Sequence, residues 1–269
     1  MLIDTHAHVN FAAYKDDGDE VVKRSLAENI WLINVGSQLD TSRRAVEYAQ
    51  KYPAGVFAAV GLHPIHLREG ELQAHVDELE EVRIASRAEK FDHNAYKNLA
   101  QNGKVVAIGE IGLDYYRNAA AKYLQKEIFV KQLELALELN KPIIFHCREA
   151  HRDLLEILKK YAGKISGVVH SFSGRWSQAQ EYLEMGFYLG FNGIITFARD
   201  YDRVVRETPL ERLVLETDCP YLTPEPFRGK RNEPAYVKYV AQKVAELRGI
   251  SFEEVAERTT KNAKELFGI

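Results

Sequence analysis

Near the beginning of the chain, Asp4-Thr5-His6-Ala7-His8 directly follows the apolar residues Leu2 and Ile3. The apolar pair predicts a strand that ends in two histidines. Side chains two positions apart on a strand share a face, so both imidazoles are expected to point the same way while Ala7 points away from them. Two imidazoles on one face form half of a metal site, but surface histidines and purification tags produce the same pattern by chance. The rest of the chain decides between these interpretations.

Further short apolar runs rich in β-branched residues predict strands, and amphipathic segments separate most of them. This alternation predicts an α/β fold, a TIM (β/α)8 barrel of parallel strands. Such barrels typically have about 250 residues in one domain. No linker rich in Pro, Gly or Ser divides the 269 residues, so residues 1–269 are expected to form a single domain. The predicted strands are Leu2–Asp4, Ile30–Val35, Val56–Val60, Val105–Gly109, Pro142–Phe145, Gly167–Val169, Phe187–Gly190 and Arg212–Leu215.

Helices are predicted where apolar residues recur at three- and four-residue offsets. The charged stretch 71–102 begins with such a pattern, from Leu72 through Leu79 to Val82. It is expected to form helical cover outside the barrel, followed by a second helix; a lid that contacts substrate is the alternative. The helices predicted elsewhere are Tyr123–Leu139, Arg152–Tyr161, Pro234–Leu247 and Phe252–Leu266.

The composition is typical of a soluble globular protein, with 46% hydrophobic residues, 28% charged residues and a net charge of -3. A nucleic-acid ligand would therefore need a local basic patch or bound metal cations rather than an overall positive field. Neither a signal-peptide pattern nor a run of about 18 apolar residues occurs, so we expect a cytoplasmic protein without a membrane partner. The two cysteines, Cys147 and Cys219, are expected to be reduced and to serve packing.

In TIM barrels the active site forms at the C-terminal ends of the strands, so the residue type at each strand end is informative. Histidines or carboxylates stand at five of the predicted strand ends. A single histidine there is more often a hydrogen-bonded structural residue, but five strand ends of this kind favour a metal centre. The side chains concerned are His6, His8, Glu110, His146, His170, Glu216 and Asp218.

Mixed nitrogen and oxygen ligands suit Zn, Mn or Mg, and the lack of a cysteine cluster argues against a structural zinc site. Even without Glu216, which lies deeper, six ligands exceed the number that one tetrahedral ion needs. We therefore expect two divalent ions bridged by a carboxylate, and Glu110 is the best candidate because it lies roughly opposite the first strand in the predicted circle. Two ions about 3.5 to 4 Å apart activate a water and stabilise the leaving oxygen of an in-line displacement, which predicts hydrolysis.

Two carboxylates near the end of the last strand are predicted to serve catalysis. Asp218 is expected to ligate one ion and to accept the proton of the attacking water. Glu216 points to the same side but deeper, so it is expected to support the ligands from behind. The alternative for Glu216 is a buried partner of a barrel Lys or Arg.

The loop 226–232 after the last strand places three cations beside the predicted metals. Arg228 is expected to bind a substrate phosphate together with Lys230 or Arg231, and the alternative is a solvated turn. Three further residues lie just past strand ends, and each is open to a substrate contact, a support of a ligand or a structural role: His63, Arg148 and Asp114.

Five motifs in order along the chain are those of a known family. They are Asp4-Thr5-His6-Ala7-His8, Gly109-Glu110-Ile111-Gly112-Leu113-Asp114-Tyr115-Tyr116, His146-Cys147-Arg148, His170-Ser171-Phe172-Ser173-Gly174 and Glu216-Thr217-Asp218. With them the chain resembles the TatD family of metal-dependent hydrolases and deoxyribonucleases, from residue 1 to the final helix. The resemblance implies a distorted TIM barrel of the amidohydrolase type with two divalent ions, and hydrolysis of DNA phosphodiesters with 3′ to 5′ exonuclease action. The metal ligands that it implies are His6, His8, Glu110, His146, His170 and Asp218.

The chain departs from the family pattern at two positions. Phe227 stands where many relatives have a histidine before the Arg-Gly of the basic loop, and Ser171 stands where they have a cysteine. The first change concerns substrate contacts more than catalysis. Family membership also says more about the metal centre than about the substrate.

Three functions are considered. The leading hypothesis is a deoxyribonuclease in which a metal-bound hydroxide attacks the phosphodiester of single-stranded DNA or of a 3′ end, without an obligate protein partner. The second is an amidohydrolase-like enzyme that acts on a small ester, amide or lactone. The third, a non-catalytic metal-binding module, has little need of an ionised carboxylate beside an open metal position.

Overall fold

The computed structural model describes residues 1–77 and 80–269, and for residues 70–77 and 80–86 it describes the backbone alone. Within these residues, eight parallel strands form one sheet in sequence order, interrupted by a separate hairpin. The first and last strands of the sheet approach each other, and Ala7 forms a bridge with Cys219, so the barrel is nearly closed and the predicted fold is confirmed. The sheet contains β1 (Leu2–Ala7), β2 (Ile30–Val35), β3 (Val56–Val60), β6 (Val105–Asp114), β7 (Ile143–Arg148), β8 (Gly167–Val169), β9 (Tyr188–Phe191) and β10 (Leu213–Leu215), and the hairpin contains β4 (Gly70–Asp77) and β5 (Glu80–Ser86).

Strand β6 continues well beyond its predicted end at Gly109. Its register against β7 shifts at this point, because Gly109 pairs with Ile144 whereas Ile111 pairs with Phe145. Glu110 is thus an extra residue in the ladder. Bulges of this kind re-aim a side chain next to active sites, and this one lets the strand continue while Glu110 turns toward the barrel mouth.

The last helix closes the opposite end of the barrel. Alternate strand residues, such as Ile33 and Val214, form a buried cluster with Phe267 of that helix. The Asn262 side chain donates a hydrogen bond to the carbonyl of Leu213, the first residue of β10. The helices predicted outside the stretch 71–102 are confirmed with small shifts of their ends. No helix among the described residues has the length and apolarity to cross a bilayer. The helices are α1 (Gly18–Ala27), α2 (Leu39–Lys51), α3 (His93–Ala100), α4 (Lys122–Leu139), α5 (His151–Leu158), α6 (Trp176–Glu184), α7 (Asp202–Glu207), α8 (Val237–Arg248) and α9 (Phe252–Phe267).

The first helix predicted in the stretch 71–102 is wrong, whereas the second is confirmed as α3. Strands β4 and β5 pair antiparallel where the helix was expected, and Leu79, which was part of the helical pattern, lies outside the described residues. The spacing of the apolar residues explains why this segment resembles a helix in sequence. Leu72, Ala74 and Val76 alternate with polar residues, which is the two-residue period of a strand, and the four-residue offset from Leu72 to Val76 fits both periods.

Candidate metal centre

The predicted ligands meet at the C-terminal end of the barrel. They are supplied by β1, β6, β7 and by residues within three positions after β1, β8 and β10, and all of them except His6 line a cavity of about 530 Å³. All of them except Asp218 are buried, and its side chain is 17% exposed, which leaves it open to the cavity. The side chains brought together are His6, His8, Glu110, His146, His170 and Asp218.

Glu110 lies at the centre of this cluster. Its Oε1 lies 2.6 Å from His146 Nδ1 and 3.0 Å from His170 Nε2. The same oxygen is 3.4 Å from His63 Nε2, and Oε2 is 3.4 Å from His6 Nε2. Burial alone would raise the pKa of Glu110, but the histidines around it hold that pKa well below its ordinary value. Glu110 is therefore an ionised carboxylate with both oxygens facing imidazole nitrogens.

A second group adjoins the first through His6. Its Nε2 lies 3.1 Å from His8 Nε2, and Asp218 Oδ1 lies 3.3 Å from His8 Nε2 and 3.8 Å from His6 Nε2. The backbone amide of Asp218 donates to the His6 carbonyl at 2.8 Å. Asp218 has a φ of 56°, a left-handed conformation that Asp adopts more readily than most residues and that is found at functional sites. The amide hydrogen bond thus holds the segment after the last strand against the first strand, where the Asp218 carboxylate lies beside the His6 and His8 rings.

The orientation of two rings fits a metal ion. His8 Nδ1 lies 2.8 Å from the Val35 carbonyl, which only accepts, so the neutral ring has its proton on Nδ1 and an Nε2 lone pair toward Asp218. His170 Nδ1 faces the Glu216 carboxylate at 3.1 Å in the same way. Both Nε2 lone pairs then face carboxylate oxygens. Each pair consists of two acceptors, and a cation bound between them would satisfy both. A carbonyl or carboxylate behind the ring is also the usual support of a histidine ligand.

The electrostatics of the cluster point to the same conclusion. Burial alone would lower the pKa of His170, but Glu110 and Glu216 raise it well above its ordinary value. Burial alone would also lower the pKa of His146, but Glu110 and Asp114 raise it above its ordinary value. The carboxylates therefore favour positive charge at both rings, and divalent ions bound between these groups would supply that charge.

His146 and His63 both lie next to Glu110, but His146 faces it with Nδ1 and His63 faces it with Nε2. His146 Nε2 lies 3.1 Å from Asp114, whose pKa is held at about 2 by His146 against the effect of burial, so Asp114 orients the ring and leaves Nδ1 for Glu110. His63 Nδ1 instead accepts from the Ile65 amide at 3.1 Å, so the proton of the neutral ring is on Nε2, toward Glu110. His63 is thus arranged as a hydrogen-bond donor, although it belongs to a cluster with ligand geometry.

Glu216 lies behind His170 rather than at the cavity. Its Oε1 accepts from the Ser171 amide at 2.6 Å and faces His170 Nδ1, and the side chain is fully buried. No Lys or Arg pairs with it among the described residues, which removes the alternative role. A Cβ at Gly190 would lie 2.5 Å from Glu216 Oε2, so glycine leaves the space that the carboxylate needs.

Replacing Glu216 with alanine is expected to reduce metal affinity and activity by about 10- to 100-fold, because His170 would lose the group that fixes its ring and tautomer. Glu216→Gln retains an oxygen for His170 and the Ser171 amide, so it should recover most of the loss. Metal titration of both variants, with thermal unfolding to verify the fold, measures this. Equal metal affinity in the alanine variant and the unmodified protein would contradict a supporting role.

The predicted substrate contacts fall into two classes. His63 and Arg148 line the cavity, whereas Arg228 and Lys230 lie outside its lining. The Arg228 guanidinium is 3.6 Å from the ring centroid of Phe197, and Lys230 lies 5.6 Å from that of Phe227. Arg231, the remaining cation of this loop, pairs with Asp17 at 2.5 Å.

Two cations of the cavity lining were not singled out by sequence. They are Arg44 on α2 and Arg117 after β6. Arg117 stands three residues after Asp114, the last residue of β6. Its position just past a strand end is a signal that the sequence could have offered. Arg44 lies within a helix and has no such signal. The described parts of the cavity therefore carry positive charge on Arg44, Arg117 and Arg148 rather than on the loop after β10.

Comparisons with known proteins agree with this geometry. The family model described as TatD related DNase matches residues 3–268. The chain is 45% identical to a Bacillus subtilis protein named uncharacterized metal-dependent hydrolase YabD, with both chains fully covered. It is 35% identical to the 3′-5′ ssDNA/RNA exonuclease TatD of Citrobacter rodentium, over the whole chain and 98% of the relative. The crystal structure of YjjV, a TatD homologue from Escherichia coli, matches with a TM-score of 0.85 and 29% identity over all of this chain and 98% of that one.

Proposed function

The chain belongs to the TatD family of metal-dependent hydrolases, and from this premise we propose that it is a deoxyribonuclease that removes nucleotides from the 3′ end of single-stranded DNA. One observation carries the proposal: Glu110 joins two groups of histidines and carboxylates at the floor of an open cavity, and guanidinium groups line the same cavity. The relative from Citrobacter rodentium with an exonuclease name supports the choice of substrate.

The ligand groups divide between two ion positions. We assign His6, His8 and Asp218 to one ion and His146 and His170 to the other, with Glu110 shared by both. Mg, Mn and Zn all suit this donor set. When bound, such ions lower the pKa of a water and neutralise charge on the attacking and leaving oxygens of a phosphodiester.

Asp218 is the group placed to take the proton of the attacking water. Burial would raise its pKa, but His8, His170 and His6 lower it below the ordinary value, so the carboxylate is ionised at neutral pH. It is also partly open to the cavity, whereas Glu216 is fully buried. Within the catalytic pair predicted from sequence, Asp218 therefore accepts the proton and Glu216 acts through His170.

Two further side chains of the cavity would contact phosphate groups of the substrate. The Nε2 proton of His63 points toward Glu110 and is available to a phosphate oxygen beside it. Arg148 lines the cavity wall and offers a charged fork to a phosphodiester. Arg228 and Lys230 remain proposals for contacts with DNA beyond the cavity.

Single-stranded DNA with a labelled 3′-terminal nucleotide tests this function. The label should be released as a mononucleotide when Mg or Mn is present, and release should stop with a chelator and return when the metal is restored. The same preparation is also given 4-nitrophenyl acetate. No metal-dependent release from DNA would contradict the proposal, and faster turnover of the ester than of DNA would favour a small-ester hydrolase instead.

A further inference from the structure

Two arginines that follow one another around the barrel, on or just after neighbouring strands, line the same cavity. Arg148 is the last residue of β7 and pairs in the sheet with Asp114, and Arg117 follows β6 three residues later. Both line the cavity, and Arg117 contacts the carboxylate of Asp114, the residue that pairs with Arg148 in the sheet. Two guanidinium groups that face one cavity form a site that favours a phosphate or another oxyanion.

The guanidinium groups of these two residues have few hydrogen-bond partners among the described residues. Arg148 is half-buried, and its guanidinium makes no hydrogen bond or ion pair with a described residue. Its guanidinium lies 4.1 Å from the ring centroid of the exposed Tyr116, which holds it in place without neutralising it. Arg117 Nε is buried and has no hydrogen-bond partner among the described residues. Arg117 Nη1 lies 3.8 Å from Asp114 Oδ2, a loose contact, and the same oxygen lies 3.1 Å from His146 Nε2.

The pair is separated from the ion positions. The His146 ring and the Asp114 carboxylate lie between Glu110 and Arg117. A phosphate bound by both guanidinium groups is therefore not the phosphate that reacts at Glu110. Buried arginine forks bind phosphate oxygens in pairs, and a polynucleotide offers a further phosphate one nucleotide away from the scissile one.

We propose that Arg117 and Arg148 form a subsite for the phosphate adjacent to the scissile phosphodiester. This inference rests on the proposed function. At a 3′ end with a free hydroxyl, the adjacent phosphate is on the 5′ side. The enzyme then recognises its substrate as a chain rather than as a single linkage, and a 5′-phosphorylated dinucleotide is its smallest good substrate.

The test compares the dinucleotides TpT and pTpT, which share the scissile linkage and differ in the 5′-phosphate. We expect kcat/KM for pTpT to exceed that for TpT by at least about tenfold, which corresponds to one charge-assisted hydrogen bond or more. In Arg117→Gln and Arg148→Gln this ratio should fall toward one. Arg258→Gln on α9, which lies at the other end of the barrel, is the matched control and should retain the ratio. A ratio near one in the unmodified protein would overturn the proposal.

Binding separates this inference from the proposed function. Equilibrium dialysis of both dinucleotides against the protein in chelator measures the subsite without turnover. Tighter binding of pTpT that depends on the two arginines, with no hydrolysis of either dinucleotide when metal is present, would reject the nuclease function and retain the subsite. Hydrolysis with equal binding and equal rates for the two dinucleotides would retain the function and reject the subsite.

Discussion

Replacing Glu110 with glutamine is expected to reduce hydrolysis by at least about a thousandfold. Glutamine has nearly the same shape, so the change mainly removes the negative charge that lies between His146, His170 and His6. A charge shared by two divalent ions contributes several kcal/mol to their binding and to catalysis, and each 1.4 kcal/mol or so corresponds to about tenfold in rate. We expect weaker binding at both proposed ion positions, because the proposal assigns Glu110 to both of them.

Elemental analysis after dialysis against Mn, together with the DNA assay, measures both effects. Glu138→Gln is a suitable control because that exposed carboxylate pairs with Lys97 and His93 on the outside of the barrel. The control should keep its metal content and activity. Full metal occupancy with nearly full activity in Glu110→Gln would show that this carboxylate does not bridge the ions.

The barrel and the ligand cluster were predictable because both follow from strand ends. Parallel strands carry short β-branched runs, and their C-terminal ends meet at one mouth, so residues far apart in sequence were assigned to one place. The extension of β6 was not predictable, because it depends on the register shift that makes Glu110 an extra residue. The hairpin β4–β5 was missed because its apolar spacing fits two periods.

The basic loop after β10 shows why nearness in sequence was a poor guide to substrate contacts. The Asn232 side chain donates to the carbonyls of Thr217 and Tyr221, which folds the loop back against the chain that precedes it. Arg228 then packs on Phe197 instead of lining the cavity. These contacts depend on tertiary packing, for which the sequence has no periodic signal. Arg117 was not predicted because β6 was expected to end at Gly109, whereas the strand continues to Asp114.

Asp218→Asn is expected to lower kcat by about three orders of magnitude. Asparagine retains an oxygen for an ion but cannot take up the proton of water at neutral pH, and a positioned base contributes about 10²- to 10⁴-fold. If the base role dominates, kcat falls while KM and metal affinity change by less than about tenfold. If ligation dominates, metal affinity falls first, and excess Mn restores much of the rate.

Metal titrations and rates at saturating Mn distinguish these two roles of Asp218. Asp19→Asn is the matched control, since Asp19 is an exposed carboxylate that pairs with Lys51 at the surface, and it should behave like the unmodified protein. The left-handed backbone at Asp218 suits asparagine as well as aspartate, so the variant is expected to keep its fold. A variant that retains most of its kcat at saturating metal would remove Asp218 from proton transfer and leave His63 as the titratable group nearest to Glu110 that is not assigned to an ion.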